Sequence, residues 1–311
     1  MIDHPGNDRA TIRTSWLSNR DRSFLLLNAA FVIVFAMPLW SLMLTSWNSA
    51  FYTYIPFIPF ISAYLIFENR QTIFSGTERS YATGLIFICA GLLILFMTKN
   101  GSALFGYHDH PALVALSLIV IWIGGFMLCY GIKAARRASF PLLFLLLAVP
   151  IPDAALERII VFLQKASAEI SYVLLQATGT PVARDGITFH LPKLDIEIAK
   201  ECSGIRSSLS LAITGLLASY FFLRTTWARA ILLLSIVPIA IIKNGIRITV
   251  LSVLGVYWDE RILAGDLHRK GGIVFFLLAL FLVGAVIIAL KKMERRFTSK
   301  GHTENAQGHI S

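Results

Sequence analysis

Eight long apolar blocks constrain the fold of this chain more than any other feature. Several of them approach the roughly 20 residues that an α-helix needs to cross about 30 Å of hydrocarbon. A bilayer core offers no water to backbone N–H and C=O groups, so such segments fold as helices. We therefore predict an all-α polytopic membrane protein with about eight transmembrane helices. The blocks are Phe24–Leu44, Phe51–Phe67, Tyr81–Met97, Ala112–Tyr130, Phe140–Val149, Ser207–Leu223, Ala228–Ile242 and Gly271–Leu290.

The overall composition agrees with this class. Of 311 residues, 56% are hydrophobic and only 15% are charged, whereas soluble proteins carry about a quarter charged residues. The first block follows a polar arm and lacks an obvious small-x-small cleavage site, so we predict a retained span rather than a signal peptide. The predicted organisation is a cytoplasmic arm (1–22), a membrane domain (23–296) and a disordered cytoplasmic tail (297–311).

The chain has a net charge of +10, and the distribution of its basic residues predicts how the chain is oriented in the membrane. Short cytoplasmic loops of membrane proteins collect Lys and Arg. When eight spans are threaded with the N-terminus inside, more than half of the 28 basic residues fall in the inner loops and tails. Both termini are therefore expected in the cytoplasm. Membrane lipids are the expected surroundings, and no nucleic-acid partner is needed to explain the charge.

An insert at residues 150–201 differs from the rest of the chain and is predicted to lie on the outer face. Leu156–Leu175 has the pattern of an amphipathic interfacial helix. The alternative is a ninth span, which four charged residues interrupt. Asp185 and Gly186 form a hairpin signal. The apolar residues that alternate with polar ones after this signal, from Ile187 to Leu191 and from Leu194 to Ile198, predict a small β-hairpin that leads into Cys202.

The three cysteines have different surroundings. Their odd number and wide spacing argue against a disulfide framework or a zinc site. Cys89 and Cys129 lie inside apolar blocks, where cysteine serves as a small hydrophobe. Only Cys202 has polar neighbours. His108 and His110 could bind a metal if they lay on a strand, but a solvated loop is the preferred interpretation, and no cofactor or metal is expected.

Cys202 stands where a thiol can be activated. A thiol is a poor nucleophile until it ionises, and its unperturbed pKa is about 8.5. A helix that begins near Ser203 would direct its positive N-terminal end at the sulfur. Arg206 shares a helix face with Cys202 if the helix includes both residues. The alternatives are an inert interfacial thiol and, for Arg206, an anchor to lipid phosphate.

Arg247 is flanked by apolar residues, and a guanidinium at membrane depth usually faces a protein interior, a cavity or a partner. Asn244 lies three residues before it and could share its helix face. The functional interpretation of Arg247 is a donor to an oxyanion during acyl transfer. The structural alternative is a salt bridge to Asp195, Glu197 or Glu201.

His268 opens the last apolar block. Its unperturbed pKa of about 6.5 suits a general acid or base, and Asp266 could orient it. An ordinary interfacial histidine is the alternative. The predicted threading places Cys202, Arg247 and His268 on the same, outer face of the membrane.

These residues resemble the signature blocks of a known family. Cys202-Ser-Gly-Ile-Arg206, Asn244-Gly-Ile-Arg247 and His268 with Gly272 look like the three signature blocks of the exosortase/archaeosortase family. Pro150-Ile-Pro152 and the segment Gly179–Gly186 also resemble the family. The resemblance extends over approximately residues 50–290.

The resemblance implies a membrane-embedded cysteine transpeptidase with the triad Cys202, Arg247 and His268, supported by Arg206 and Asn244. It implies exported substrate proteins that end in a short motif such as Pro-Glu-Pro, a transmembrane helix and a basic tail. The implied site faces the periplasm or exterior of the cytoplasmic (inner) membrane, and such systems often accompany exopolysaccharide genes. One departure is the carboxylate before the cysteine, where the family often has a small residue.

Two other classes remain open. A membrane transporter, or a protein that handles polysaccharide or lipid without thiol catalysis, could also use an intramembrane Arg247. It predicts that replacement of Cys202 is tolerated. An intramembrane serine or zinc protease is disfavoured, because the chain contains neither Gly-x-Ser-x-Gly nor His-Glu-x-x-His.

Overall fold

The computed structural model describes residues 19–49, 51–76, 78, 80–100, 110–192, 194–259 and 272–307. The predicted site residue His268 and its neighbour Asp266 lie outside these ranges. So do His108, most of the predicted N-terminal arm and the last four residues of the chain.

Helices make up most of the described chain, and three short strands are inserted before Cys202. A 3₁₀ turn, Leu145–Ala148, extends the helix Ser139–Phe144, and a second one, Lys200–Ser203, precedes the helix Ile205–Phe222. In chain order the elements are α1 Asn19–Val34, α2 Ala36–Asn48, α3 Phe57–Glu68, α4 Arg70–Ile73, α5 Tyr81–Asn100, α6 His110–Arg137 (kinked at Gly131), α7 Ser139–Phe144, α8 Asp153–Ala177, β1 Ala183–Asp185, β2 Thr188–His190, β3 Asp195–Glu197, α9 Ile205–Phe222, α10 Thr226–Tyr257 and α11 Gly272–Gln307.

The helical membrane class is confirmed, with a smaller number of spans than predicted. Among the described residues, six helices are long and apolar enough to cross a bilayer, and α1 with α2, bent by 72°, is a seventh if the pair counts as one span. The predicted spans at α3 and α7 are too short. Conversely, α8 has the length and composition of a span, so its interfacial placement stays a prediction. The six are α5, α6, α8, α9, α10 and the first part of α11.

Large apolar faces on these helices are exposed. Only 17% of the apolar window of α5 is buried inside the protein, and its exposed side chains include Leu85, Leu93 and Phe96. A soluble protein rarely exposes apolar patches of this extent. Such faces are suited to lipid acyl chains, and the chain is therefore a multi-pass membrane protein.

The chain divides into two compact units, residues 1–49 with 53–150 and residues 50–52 with 151–311. In the first unit, α5 packs against α6 through small residues. A Cβ added at Gly84 would lie 2.9 Å from the Gly124 carbonyl oxygen, and one added at Gly124 would lie 2.8 Å from the Gly84 oxygen. Small residues let helix backbones approach closely in a bilayer, where no hydrophobic force drives helices together.

The second unit has two apolar cores that meet along α10. One lies between α9, α10 and α11 and includes Leu211, Leu232 and Val283. The other packs α8 and the sheet against the C-terminal half of α10, and includes Phe189 and Ile248. Because α10 contributes to both, it is the central helix of this unit.

The predicted β element is present as a three-stranded antiparallel sheet in the order β1-β2-β3. Asp185 pairs with Thr188, so the two loop residues are Gly186 and Ile187, one position later than the hairpin signal indicates. Gly186 alone has a positive φ there (60°), which is the requirement at the first position of a type II′ turn. The alternation is confirmed, since Phe189 is buried and its neighbours are more exposed.

The predicted amphipathic helix is confirmed as α8, whose buried residues recur with helical spacing from Leu156 to Leu175. At the other end of the chain, α11 continues as far as Gln307. It therefore runs through most of the segment 297–311 that its polar composition predicts to be a disordered tail.

Gly245 sets the distance between α10 and α8. A Cβ at this position would lie 2.5 Å from Ile170 Cγ2, whereas one at Gly284 in α11 would meet nothing within 4 Å. We expect Gly245→Ala to destabilise the protein by about 1–3 kcal/mol through overpacking. Gly284→Ala should be neutral or slightly stabilising, because alanine favours the helix. Thermal unfolding of both variants in detergent checks this, and equal midpoints would contradict it.

Candidate active site

Cys202 lies on a short turn between the sheet and α9. The turn Lys200–Ser203 is a single 3₁₀ turn, and the left-handed Gly204 (φ 77°) separates it from the helix that begins at Ile205. Cys202 therefore precedes the helix N-terminus, as expected, but is not part of the helix. The predicted shared face with Arg206 is consequently absent: Arg206 is exposed and lies on a different element.

Asn244 of α10 holds this turn in place. Its Nδ2 donates one hydrogen bond to the carbonyl oxygen of Cys202 and one to Ser167 Oγ of α8, both at 3.0 Å. The side chain is 1% exposed. A buried amide bonded in this way cross-links three segments that are far apart in the sequence. Asn244 thus contacts the turn that carries the cysteine.

Gly204 is required at its position for two reasons. Its positive φ is costly for any residue with a Cβ. An added Cβ would also lie 2.8 Å from Asn244 Oδ1, a buried atom that accepts no hydrogen bond within the described part of the chain. The approach of Asn244 to the turn therefore depends on the missing side chain.

Arg247 lies on α10 one turn after Lys243 and, with Cys202, lines one pocket of about 320 Å³. This volume is at the lower end of the range for small-molecule and cofactor sites. The residues that line it come from β3 with the chain that follows it, and from the C-terminal part of α10. The lining residues are Asp195, Ile196, Glu197, Ile198, Ala199, Cys202, Arg247, Ile248, Leu251 and Ser252.

Two of the carboxylates considered as partners of Arg247 are present in the pocket wall. Neither is in a salt bridge with Arg247: Asp195 binds His190 Nδ1 at 2.9 Å, and Glu197 has no ion pair among the described residues. The salt-bridge alternative is therefore wrong for these two groups. Glu201 has no described side-chain position.

Several polar residues near the site have no signal in the sequence motifs. Lys243 is 2% exposed, and its ammonium donates to Ser207 Oγ of α9. Gln164 Nε2 of α8 donates to the Ile198 carbonyl oxygen at 2.6 Å and so holds the end of β3. In the sequence, Gln164 differs from its neighbours only in being a polar residue on the apolar face of an amphipathic helix, and this pattern does not show that it binds the Ile198 carbonyl oxygen.

The opposite end of α9 is basic. The backbone amides of Arg224 and Thr225 donate to Glu294 of α11 at 3.1 and 2.7 Å. An 18-residue helix is about 27 Å long, so the Cys202 turn and this end are separated by approximately the thickness of the hydrocarbon core. The basic residues at or near this end are Arg224, Arg229, Lys291, Lys292, Arg295 and Arg296.

The arrangement brings a thiol and a guanidinium into one pocket, next to a helix N-terminus. Among the described residues, these are the groups that nucleophilic catalysis with oxyanion stabilisation requires. The predicted third member, His268, is outside the described ranges, so its role stays a prediction.

The Gly204 requirement can be tested against Gly179, which also has a positive φ (73°) but would meet nothing within 4 Å if it carried a Cβ. Both alanine variants incur backbone strain of about 1–2 kcal/mol. Gly204→Ala adds a clash with Asn244, so we expect a loss larger by at least about 1 kcal/mol. The measurement is thermal unfolding in detergent. A smaller loss for Gly204→Ala would contradict the close approach of Asn244.

Comparison with known proteins gives one result. A family model described as Transmembrane exosortase matches residues 46–285, which is more than half of the chain. No curated protein and no solved structure shows significant similarity to the chain. The match includes both described site segments and the segment that contains His268. The chain therefore belongs to the transmembrane exosortase family.

Proposed function

We propose that this protein is a cysteine-type peptidase and transpeptidase that cleaves the C-terminal sorting signal of exported proteins through a thioester. One observation carries the proposal: Cys202 and Arg247 line the same pocket. Membership of the exosortase family supports a substrate that carries a sorting signal, and we propose that this substrate is an exported protein with a short motif, a transmembrane helix and a basic tail.

In the first half of the reaction, His268 accepts the proton of Cys202, and the resulting thiolate attacks the scissile carbonyl carbon. A C–S bond forms and the carbonyl oxygen becomes an oxyanion, to which Arg247 donates hydrogen bonds. When the oxyanion collapses, the C–N bond breaks and His268 gives the proton to the leaving amine. The products of this half are a thioester on Cys202 and the released C-terminal tail.

In the second half, water or an acceptor amine attacks the thioester carbonyl. His268 takes the proton of the attacking group and returns it to sulfur as the C–S bond breaks. Asn244 acts on position rather than on chemistry, because it binds the Cys202 carbonyl oxygen. Arg206 is exposed and outside the pocket lining, and we propose it as a supporting cation for substrate or lipid phosphate.

The proposed orientation places the pocket at the periplasmic or exterior face of the cytoplasmic membrane. The basic end of α9, with Arg224 and nearby Lys and Arg residues of α11, is the end that the positive-inside rule assigns to the cytoplasm. The Cys202 turn is at the other end of the same helix. A substrate whose basic tail stays in the cytoplasm would then present the residues before its own helix at the level of Cys202.

The proposed nucleophile is tested with a reporter protein that ends in a Pro-Glu-Pro motif, an apolar helix and a basic tail. We expect cells that contain the wild-type chain to cleave this reporter, and cells with Cys202→Ala to leave it intact, because no other group supplies the thiolate. Cys89→Ala and Cys129→Ala are the matched controls and should cleave normally. Immunoblots of reporter and enzyme give the result.

Undiminished cleavage by Cys202→Ala at normal membrane levels would end the proposal of thiol catalysis. It would favour a transporter or a polysaccharide- or lipid-handling protein instead. Trapping of a reporter thioester on Cys202 would provide direct support, because a non-catalytic cysteine does not acquire an acyl group.

The proposed oxyanion donor is tested by Arg247→Lys. Lysine keeps the charge but lacks the planar, forked donor, so we expect the cleavage rate to fall by about 10²–10³-fold, the usual effect of removing an oxyanion-hole donor. Arg158→Lys on the exposed surface of α8 is the control and should cleave at the wild-type rate. Rates are measured with purified enzyme and reporter in detergent. A fall of less than about threefold would remove Arg247 from this role.

A further inference from the structure

The pocket is bordered by the edge of a β-sheet. In the order β1-β2-β3, strand β3 has a paired neighbour on one side only among the residues that the structure describes. The lining of the pocket includes every residue from Asp195 to Ala199, together with Cys202 and Arg247. An unbroken run of strand residues along one wall differs from a wall made of isolated side chains, because it also presents backbone donors and acceptors.

The hydrogen-bond pattern shows which backbone groups of β3 face outward. Leu191 and Leu194 exchange two backbone hydrogen bonds, at 3.0 and 3.3 Å, and Ile198 N donates to Ile187 O at 3.1 Å. In an antiparallel pair, such bonded positions recur at every second residue. The backbone groups of Leu194, Ile196 and Ile198 therefore point to β2, and those of the two residues between them point away.

These two residues are Asp195 and Glu197. The Glu197 carbonyl oxygen accepts a hydrogen bond from Ala199 N at 3.0 Å. Within the described part of the chain, the N–H and C=O of Asp195 and the N–H of Glu197 have no hydrogen-bond partner. These three groups are two donors and one acceptor, and they lie along the edge of β3 that faces away from β2.

Helix α10, which also lines the pocket, carries a hydroxyl that likewise has no hydrogen-bond partner among the described residues. Ser252 of α10 is 1% exposed, and its Oγ has no hydrogen-bond partner among the described residues. A buried hydroxyl without a partner is costly, and Ser252 lines the pocket. The helix therefore places a buried hydroxyl without a described partner beside the pocket.

We propose that the substrate segment next to the scissile bond binds as a fourth strand on the open edge of β3, beside the Ser252 hydroxyl. An extended peptide is the ligand whose backbone supplies acceptors and donors in the matching alternation. Only four residues separate Glu197 from Cys202, so a segment paired with β3 lies beside the thiol. This inference rests on the proposed function, which supplies the exported protein as the substrate.

Strand pairing also predicts side-chain selectivity. Side chains directly opposite each other on neighbouring strands interact, and opposite charges are favoured. The carboxylate of Asp195 binds His190, but that of Glu197 is exposed and has no ion pair among the described residues. We therefore expect the substrate position opposite Glu197 to accept a cationic or hydrogen-bond-donating side chain and to disfavour an acidic one.

The test is disulfide scanning between the full-length enzyme and the tailed reporter described above. The enzyme carries Glu197→Cys in a background of Cys202→Ser, Cys89→Ser and Cys129→Ala, so that the reporter stays uncleaved. Single cysteines are placed at successive reporter positions before its apolar helix. Asp185→Cys in the same background is the control, because it is also exposed but lies on β1, at the far edge of the sheet.

Strand pairing predicts the highest cross-link yield at the reporter position directly opposite residue 197, at least about fivefold above the yields of the two adjacent positions, because the side chains of those two point to the other face of the sheet. The control should give none. Equal yields at consecutive positions, equal yields from Asp185→Cys, or no cross-link at all would overturn the inference. If the wild-type chain cleaves the reporter, these results leave the proposed function intact. If it does not, the proposed function itself falls.

Discussion

The site depends on the hydrogen bonds that one buried amide donates to the carbonyl of Cys202 and the hydroxyl of Ser167. Asn244 is in the middle of a 32-residue helix, so its position is determined by packing along the whole length of α10. The cysteine, in contrast, lies on a single 3₁₀ turn that has little rigidity of its own. The amide transfers the rigidity of the helix to the turn. Arg247, one turn further along the same helix, is thereby held in a fixed relation to the thiol.

Small residues make this arrangement possible. Gly204 lets the Asn244 side chain reach the turn, and Gly245 lets α8 approach α10 closely enough for Ser167 to accept the second bond. Membrane helices cannot rely on the hydrophobic effect to associate within lipid, and close packing of small residues is their alternative. The packing that stabilises the second unit is therefore also the packing that positions the site.

The pocket combines a helix wall with a strand wall, and the two walls suit different tasks. The helix contributes Arg247 and Ser252, whose positions are defined by regular packing. The strand contributes backbone groups along an edge that, among the described residues, has no paired neighbour, and such groups can pair with an extended chain whatever its side chains. We infer that such a combination suits an enzyme whose substrates share a short segment but differ in the proteins to which it is attached.

Much of this molecule could be predicted from its sequence. Long apolar runs determine the helical membrane class, because the bilayer leaves the backbone no other solution. The turn signal at Asp185 and Gly186 and the apolar residues that alternate with polar ones after it predict the β element. Local motifs single out Cys202, Asn244 and Arg247. These inferences succeed because each depends on residues close together in the chain.

Only the tertiary structure decided how these parts meet. Local patterns could not show that Cys202 stays outside the helix that carries Arg206, that Asp195 binds His190 rather than Arg247, or that Ser252 and Cys202 line the same pocket. Each of these facts depends on residues that approach in space from distant elements, and on the backbone reversal at Gly204. The sequence by itself determined the class of protein and its candidate residues, whereas the packing of α8, α10 and the sheet decided which of them share one site.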